Sequence, residues 1–398
     1  MNRLIGIMGI AVFVLIAALL SENRKKIPWK LAGWGIGLQI FFGLLIWKTK
    51  PGQWIFEGAN LLMSKVLSFT EVGAKFVFGK LATDPSFQAE IGFKMLPVII
   101  FTASLMALLY YLKMIPAAVR LLAALMRRTM RISGAESLST ALFVFMGIEA
   151  ITALKAYLRR MTRSELFTVM TGFMATIAGS VMAIYTHFGA QAGHLLAASV
   201  MSAPAAVLLS KIMVPETHVP ETSGQGNIPM GAPYSNPLEA LAEGAIDGLK
   251  LAATIGAMLI AFLSVLALFN APLQYLHTSL ESLLGIIFRP IVFLMGIPLS
   301  ETAPVGELMG IKTVFNEFLG YMKMNEMIRG GLLSPRSVII STYALCGFAN
   351  FGSLAILIGG IGAIAPERKK EVIELGVKSL ISGTLAKFMT AGLAGIFL

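Results

Sequence analysis

Two acids stand where an apolar chain rarely puts them. Glu317 follows Asn316 and precedes Phe318 inside a long apolar stretch, and Glu149 closes the run Leu142-Phe-Val-Phe-Met-Gly-Ile-Glu149. A carboxylate in such surroundings is costly unless donors or a cation meet it. Inside a membrane segment it marks a substrate site or a proton path. Further on, Tyr343-Ala-Leu-Cys-Gly-Phe-Ala-Asn-Phe-Gly-Ser353 is apolar enough to cross a membrane, yet it holds Gly347, Asn350, Gly352 and Ser353. These residues loosen a helix and favour caps and turns. At membrane depth such a break must face protein or a water-filled cavity. A buried acid beside a broken helix is the chemistry of ligand capture and ion handling in a transporter. Other chemistries find less support. Cys346 is the sole cysteine, so an intrachain disulfide and a cysteine-based zinc site are excluded. The histidines are His187, His194, His218 and His277. His187 and His194 could share a helix face, but a third ligand is missing nearby and no metal is expected. There is no Gly-x-Ser-x-Gly, His-Glu-x-x-His or Walker pattern, so uphill transport would have to draw on an ion gradient.

The elements that must position these residues are membrane helices. Of 398 residues, 56% are hydrophobic and 13% charged, whereas soluble domains carry about 25% charged residues. The net charge of +11 falls in short loops beside spans, where it sets orientation. No nucleic-acid pattern competes, so the expected surroundings are a lipid bilayer. Spans are expected at about Leu4–Leu20, Leu31–Ile46, Phe93–Leu112, Leu166–Ile184, Ala197–Ile212, Leu251–Phe269, Val338–Ile364 and Val377–Leu398. The first reads as a membrane helix and not a cleaved signal, because basic residues follow it at once. The fourth could break within Ala175–Ser180. Amphipathic, interfacial helices are expected over 55–81, Pro116–Met130 and Pro237–Lys250. Residues 215–236 read as a flexible hydrophilic loop.

Two stretches look like re-entrant hairpins. In 134–158, the sequence Gly134–Thr140 suits a helix cap, and the apolar arms Ala141–Ala150 and Ile151–Leu158 are each too short to cross, with Gly147 and Glu149 between them. In 278–324, the arm Leu283–Met295, interrupted by Arg289-Pro290, leads to a second arm, Val305–Met324, that carries Asn316 and Glu317. Each hairpin is followed by a span with a Gly-Ser at its break: Gly179-Ser180 after Glu149, and Gly352-Ser353 after Glu317. Matched, interrupted hydrophobic units are the sequence mark of a transporter site between repeats. Residues 1–133 then read mainly as scaffold and 134–214 as transport domain. Residues 215–277 return to scaffold and 278–398 to transport domain.

The run Ala344–Ser353 closely resembles the concentrative nucleoside transporter family, as do Lys312-Thr-Val-Phe-Asn-Glu-Phe-Leu-Gly-Tyr321, Gly73–Gly79, Ser279–Gly285 and Met295–Pro298. The resemblance implies an all-α polytopic membrane protein with eight transmembrane helices, two re-entrant hairpins and interfacial helices. It implies an inverted-repeat fold, a homotrimer, and a mobile transport domain in each protomer. The expected location is a bacterial inner (plasma) membrane, and the expected substrate a nucleoside. By motif, Glu317 would accept from ribose hydroxyls, Asn350 and Ser353 would hydrogen-bond, and Phe348 would pack near sugar and base. A carboxylate can take two vicinal hydroxyls through charge-assisted bonds.

The first half departs from the family pattern Gly-Gln-Thr-Glu-Ala-Pro that reads the base. This chain has Met146, Gly147, Ile148 and then Glu149. The amide and hydroxyl are gone, Glu149 survives, and base discrimination should be looser. Sodium-coupled relatives carry an Asn where this chain has Leu142, which cannot ligate sodium. Thr176 is the nearest match to a hydroxyl ligand. Proton coupling is therefore expected over sodium coupling, through Glu149 or Glu317, since a buried carboxylate can load and unload protons. No cofactor is expected. A second reading, from another class, is a nucleoside-binding receptor or ion pathway that does not concentrate its ligand. An intramembrane enzyme lacks a nucleophile–base pair.

Overall fold

The structure, a computed structural model, describes residues 2–84, 91–224 and 234–398. Residues 225–233 of the hydrophilic loop lie outside the described residues. Helices α1 (Asn2–Leu19), α2 (Trp29–Lys48) and α3 (Lys50–Phe78) come first. Thr49 caps α3 through Gly52 N at 3.2 Å, and Pro51 sits in its first turn, where a missing N–H is harmless. Phe69, Val72 and Phe76 line an exposed apolar stripe on α3, as an amphipathic helix requires. A single turn, α4 (Lys80–Thr83), precedes α5 (Leu96–Tyr111) and α6 (Met114–Met130).

The stretch 134–158 folds back on itself, but with different arms from those expected. α7 (Gly134–Phe143) starts one residue after Ser133, whose extended backbone and hydroxyl make it the cap. Ser133 Oγ accepts from Glu136 N at 3.2 Å and Glu136 Oε2 accepts from Ser133 N at 3.0 Å, a capping box. The chain then turns through Val144–Ile148 and returns as two single turns, α8 (Ala150–Ala153) and α9 (Lys155–Leu158). The first arm is thus 134–143 and not 141–150. The fourth expected span is broken, into α10 (Arg163–Ala175) and α11 (Gly179–His187). His187 ends α11 while His194 opens α12 (Ala192–Met213), so the two do not share a helix face.

The amphipathic helix and sixth span expected separately form one helix, α13 (Pro237–Leu273). Its Gly244 and Gly248 lie against α5. A Cβ on Gly244 would stand 2.6 Å from Ala107 Cβ, and one on Gly248 would stand 2.7 Å from the Ile100 Cα. Small residues four apart allow this approach, and the seam holds the first part of α13 against α5.

In the second hairpin-like stretch, α14 (Leu280–Leu294) runs through Arg289-Pro290 without interruption. Its return arm is not continuous. It divides into α15 (Thr302–Val314) and α16 (Glu317–Arg329), with extended backbone at Asn316. The chain ends with α17 (Pro335–Leu345), α18 (Phe351–Ile364) and α19 (Lys369–Phe397).

Six helices among the described residues are long and apolar enough to cross a membrane. The segment Arg163–His187 is wholly buried and Pro366–Phe397 is 83% buried, while Pro237–Leu276 is 11% buried. The broken helix and the last helix therefore form the centre, and α13 lies at the periphery. Lys211 on α12 reaches the Glu136 carboxylate, and also Glu216 at 3.2 Å and Ser164 Oγ at 2.9 Å. Ser133 Oγ donates to Glu165 at 2.6 Å. This buried network ties the starts of α7 and α10 to the end of α12.

Candidate functional site

Glu317 is the first residue of α16, and Asn316 caps that helix by accepting from Leu319 N at 2.9 Å. The cap explains why the arm splits here: Asn in extended backbone ends one helix and starts the next. The carboxylate is buried. Its Oε1 accepts from Tyr185 Oη at 2.8 Å and its Oε2 from Asn350 Nδ2 at 2.9 Å. Asn350 is itself the N-cap of α18, with Oδ1 accepting from Ser353 N at 2.7 Å. That bond fixes the amide, so the Nδ2 edge must face Glu317. Two helix N-termini thus converge on one carboxylate, and their dipoles favour its negative charge. Both oxygens act as acceptors, which matches the ionised form.

The pocket wall is aromatic and cationic. Tyr185 stacks on Tyr321 at 4.4 Å between ring centroids, and Tyr321 Oη donates to Thr342 O at 2.8 Å. Lys312 Nζ, in the last turn of α15, donates to Ala344 O at 2.7 Å. It thereby satisfies a carbonyl in the last turn of α17. Phe348 is half-buried, 5.3 Å from the Phe173 ring. Cys346 is buried, and its Sγ lies 3.6 Å from Leu195 O.

The Glu149 half is built differently. Gly147 N donates to Glu149 Oε1 at 2.9 Å, so the acid folds over its own turn. The Glu149 residue is exposed, Gly147 is buried, and Ile148 rests against α18, 3.1 Å from where a Cβ on Gly360 would lie. Gly179 N donates to Phe145 O at 3.0 Å, binding this turn to the α10–α11 break. The two breaks meet through Phe348 N donating to Thr176 O at 3.1 Å. The Thr176 hydroxyl donates to Gly172 O at 2.9 Å, and Leu142 is fully buried.

The structure therefore brings Glu317, Asn350 and Ser353 into one cluster. Glu149, Gly147 and Ile148 form a second, joined to the first through Thr176 and Phe348. Among the described residues no hydrogen bond joins the two carboxylates. Sequence reasoning missed Tyr185. It stands 132 residues from Glu317, and only its place just past the expected fourth span hinted at a role. No group of three or more His, Cys, Asp or Glu suited to a metal occurs among the described residues.

With this geometry in place, comparison with known proteins is specific. Residues 194–395 match the family described as Na+ dependent nucleoside transporter C-terminus, and residues 8–81 its N-terminus. Residues 92–192 match a gate described as nucleoside recognition. The Helicobacter pylori protein named nucleoside permease NupC is 37% identical over 413 residues, covering 100% of this chain and 98% of that protein. An uncharacterized transporter of Haemophilus influenzae is 40% identical over 412 residues, covering 100% of this chain and 98% of that one. Solute carrier family 28 member 3 of Eptatretus stoutii is 40% identical over 417 residues, and here the chain spans only 60% of the relative's length. Among solved structures, CNTnw in an inward-facing substrate-bound state is 35% identical with a TM-score of 0.93, covering 100% of this chain and 98% of that one. A variant of CNTnw in an outward-facing state is 34% identical, again at 0.93, covering 100% of this chain and 99% of that one. These matches run the length of an all-helical, membrane-spanning chain, which belongs to the concentrative nucleoside transporter family.

Proposed function

We infer that this protein is an ion-coupled importer of nucleosides that works by alternating access in a bacterial inner membrane. The observation that carries the reading is the Glu317–Asn350–Tyr185 cluster at two helix N-termini. Ribose hydroxyls can replace the Tyr185 and Asn350 donors on the carboxylate, giving two charge-assisted bonds. Ser353, at the first turn of α18, adds a hydroxyl, and Phe348 offers an apolar face beside it. Solved relatives of this chain stand in inward-facing and outward-facing states, and the same fold here supports the same cycle.

The finer architecture is part of this reading. The 134–158 and 278–314 foldbacks act as re-entrant hairpins, eight helices span the bilayer, and three copies assemble. Residues 134–214 and 278–398 move as a transport domain against the scaffold of 1–133 and 215–277. Glu149 faces the base, with Ile148 and Gly147 giving it an apolar, small-residue surround in place of an amide and a hydroxyl. Base discrimination is then loose. The coupling ion is the proton. Leu142 offers no side-chain oxygen, so the crossing lacks one ligand that sodium would need.

Uptake of tritiated nucleosides into proteoliposomes tests the reading. The expected result is accumulation driven by an acid exterior and abolished by Glu317→Gln. Accumulation driven by sodium alone would refute proton coupling, and unaltered uptake and affinity in Glu317→Gln would remove that residue from the site.

A further inference from the structure

Lys387 is a buried ammonium with no acid to answer it. It lies on α19 at 0% exposure, and its Nζ donates to Ser202 Oγ at 2.7 Å and approaches Ala198 O at 3.4 Å, both on α12. Among the described residues no carboxylate forms an ion pair with it. The contrast with Lys211, equally buried but held by Glu136 and Glu216, is direct. An uncompensated buried charge is expensive, so its position calls for a reason.

The position is where the two broken helices cross. A Cβ on Gly347 would stand 2.9 Å from Lys387 Cδ and 3.0 Å from Met174 O. One turn earlier on α19, Gly383 lies against Met174 and Ala175. The lysine stem therefore passes between the last turn of α10 and the break after α17, beside the Phe348 N to Thr176 O bond. Helix C-termini carry negative partial charge, and in secondary transporters such ends, with unwound carbonyls, hold the coupling cation. Here the Lys387 stem crosses that place and sets its Nζ just beyond it, against α12. The titratable groups that act on it are Cys346, in the break, and Lys312, from α15. α10 and α12 face it with carbonyls, a hydroxyl and apolar side chains. Ser202 Oγ, which donates to Ala198 O at 2.6 Å, can accept from either an ammonium or a neutral amine. Both protonation states therefore keep a partner.

We propose that Lys387 is the proton-carrying group of the coupling step, its amine lodged against α12 just beyond the helix crossing. The inference rests on the proton-coupled reading above. It assigns the proton to Lys387 and not to Glu149 or Glu317. The lysine amine takes a proton from the outer side, the charged form tightens α19 against the Ala198 carbonyl and Ser202 hydroxyl of α12 while ligand is bound, and the proton leaves to the inner side before the empty return. Glu317, an acceptor at both oxygens, binds ligand.

The test uses the full-length protein in proteoliposomes with tritiated uridine and adenosine, comparing wild type with Lys387→Gln, Lys387→Met and Lys387→Arg. Two assays are run: accumulation driven by an acid exterior, and counterflow exchange at equal pH. Gln and Met should lose accumulation at least tenfold while keeping exchange within about threefold. Arg, always charged, should also fail to accumulate, because it cannot release the proton. The proposal is overturned if Gln or Met still accumulates, if Arg restores accumulation (a static cation), or if all three fold as judged by gel filtration yet lose exchange (a structural residue). A wild type driven by sodium and indifferent to pH would instead refute the proton-coupled reading beneath it.

Discussion

At the scale of residues, the site depends on a carboxylate whose two oxygens are each met by one donor. Tyr185→Phe removes the Oη bond of 2.8 Å and leaves Asn350 in place. Loss of one hydrogen bond to a charged group is worth about 1.5–3 kcal/mol. Because ligand hydroxyls replace that donor, the bond is lost from the free protein alone, and the affinity for nucleoside should be unchanged or rise, as read by isothermal titration, while the ligand-free Tm falls. Asn350→Ala should do more damage, because Asn350 both donates to Glu317 and caps α18. The cap alone contributes about 0.5–2 kcal/mol, so a lower Tm should accompany the lost binding. A 2′-deoxynucleoside, with one hydroxyl fewer for Glu317, should bind more weakly than its ribose counterpart in a thermal-shift panel, and equal shifts would count against a ribose-facing carboxylate.

At the scale of elements, two seams hold the parts in register. The α5–α13 seam needs Gly248, where a side chain would enter the α5 backbone. Gly248→Leu should destabilise by about 1–3 kcal/mol through overpacking, whereas the same change at Gly58, with open space around its Cβ direction, should be close to neutral. The second seam joins the loop after α1 to the starts of α10 and α19. Glu22 accepts from Arg163 Nη2 at 3.1 Å and from Lys378 at 2.8 Å. Partial burial pushes its carboxyl upward, but the bonds from Arg163 and Lys378 outweigh that and hold it below the ordinary carboxylate value. A carboxyl lowered by folding stabilises the protein above its unfolded pKa, near about 4.3, and the gain is lost as pH falls through the folded value. Glu22→Gln should therefore lower Tm at pH 7, by the equivalent of about 0.5–1 kcal/mol for a part-exposed pair. The difference should vanish near pH 3.

At the scale of the whole molecule, peripheral α13 and central α10, α12 and α19 divide the chain into a surface that faces its surroundings and a buried body that carries the site. Exposed apolar residues on α13, such as Ile260 and Leu268, need lipid or a neighbouring copy to cover them. Native mass spectrometry of the detergent-solubilised protein should show three protomers, and a monomer at all detergent ratios would refute that assembly. The Glu317–Asn350 cluster was legible in the sequence because its signals are local: Asn316 before Glu317, and Asn350 three residues before Ser353, are helix-cap spacings. The hairpin arms were less legible. Ser133 caps through an extended backbone that sequence does not reveal, and Asn316 ends a helix that apolar composition alone would continue.

The sequence by itself determined the membrane class, the two breaks, the acid beside each hairpin and the departure at Leu142 and Ile148, because hydropathy, helix-loosening residues and cap motifs act over a few neighbouring positions. Only the tertiary structure decided what the breaks meet. Tyr185 reaches Glu317 from 132 residues away, and the Phe348–Thr176 bond ties one broken helix to the other. Lys387, which in the sequence is one cation in an apolar tail, passes its stem through the crossing of two helix C-termini and bonds α12. Such long-range meetings follow from which buried faces fit together, and no local spacing encodes them.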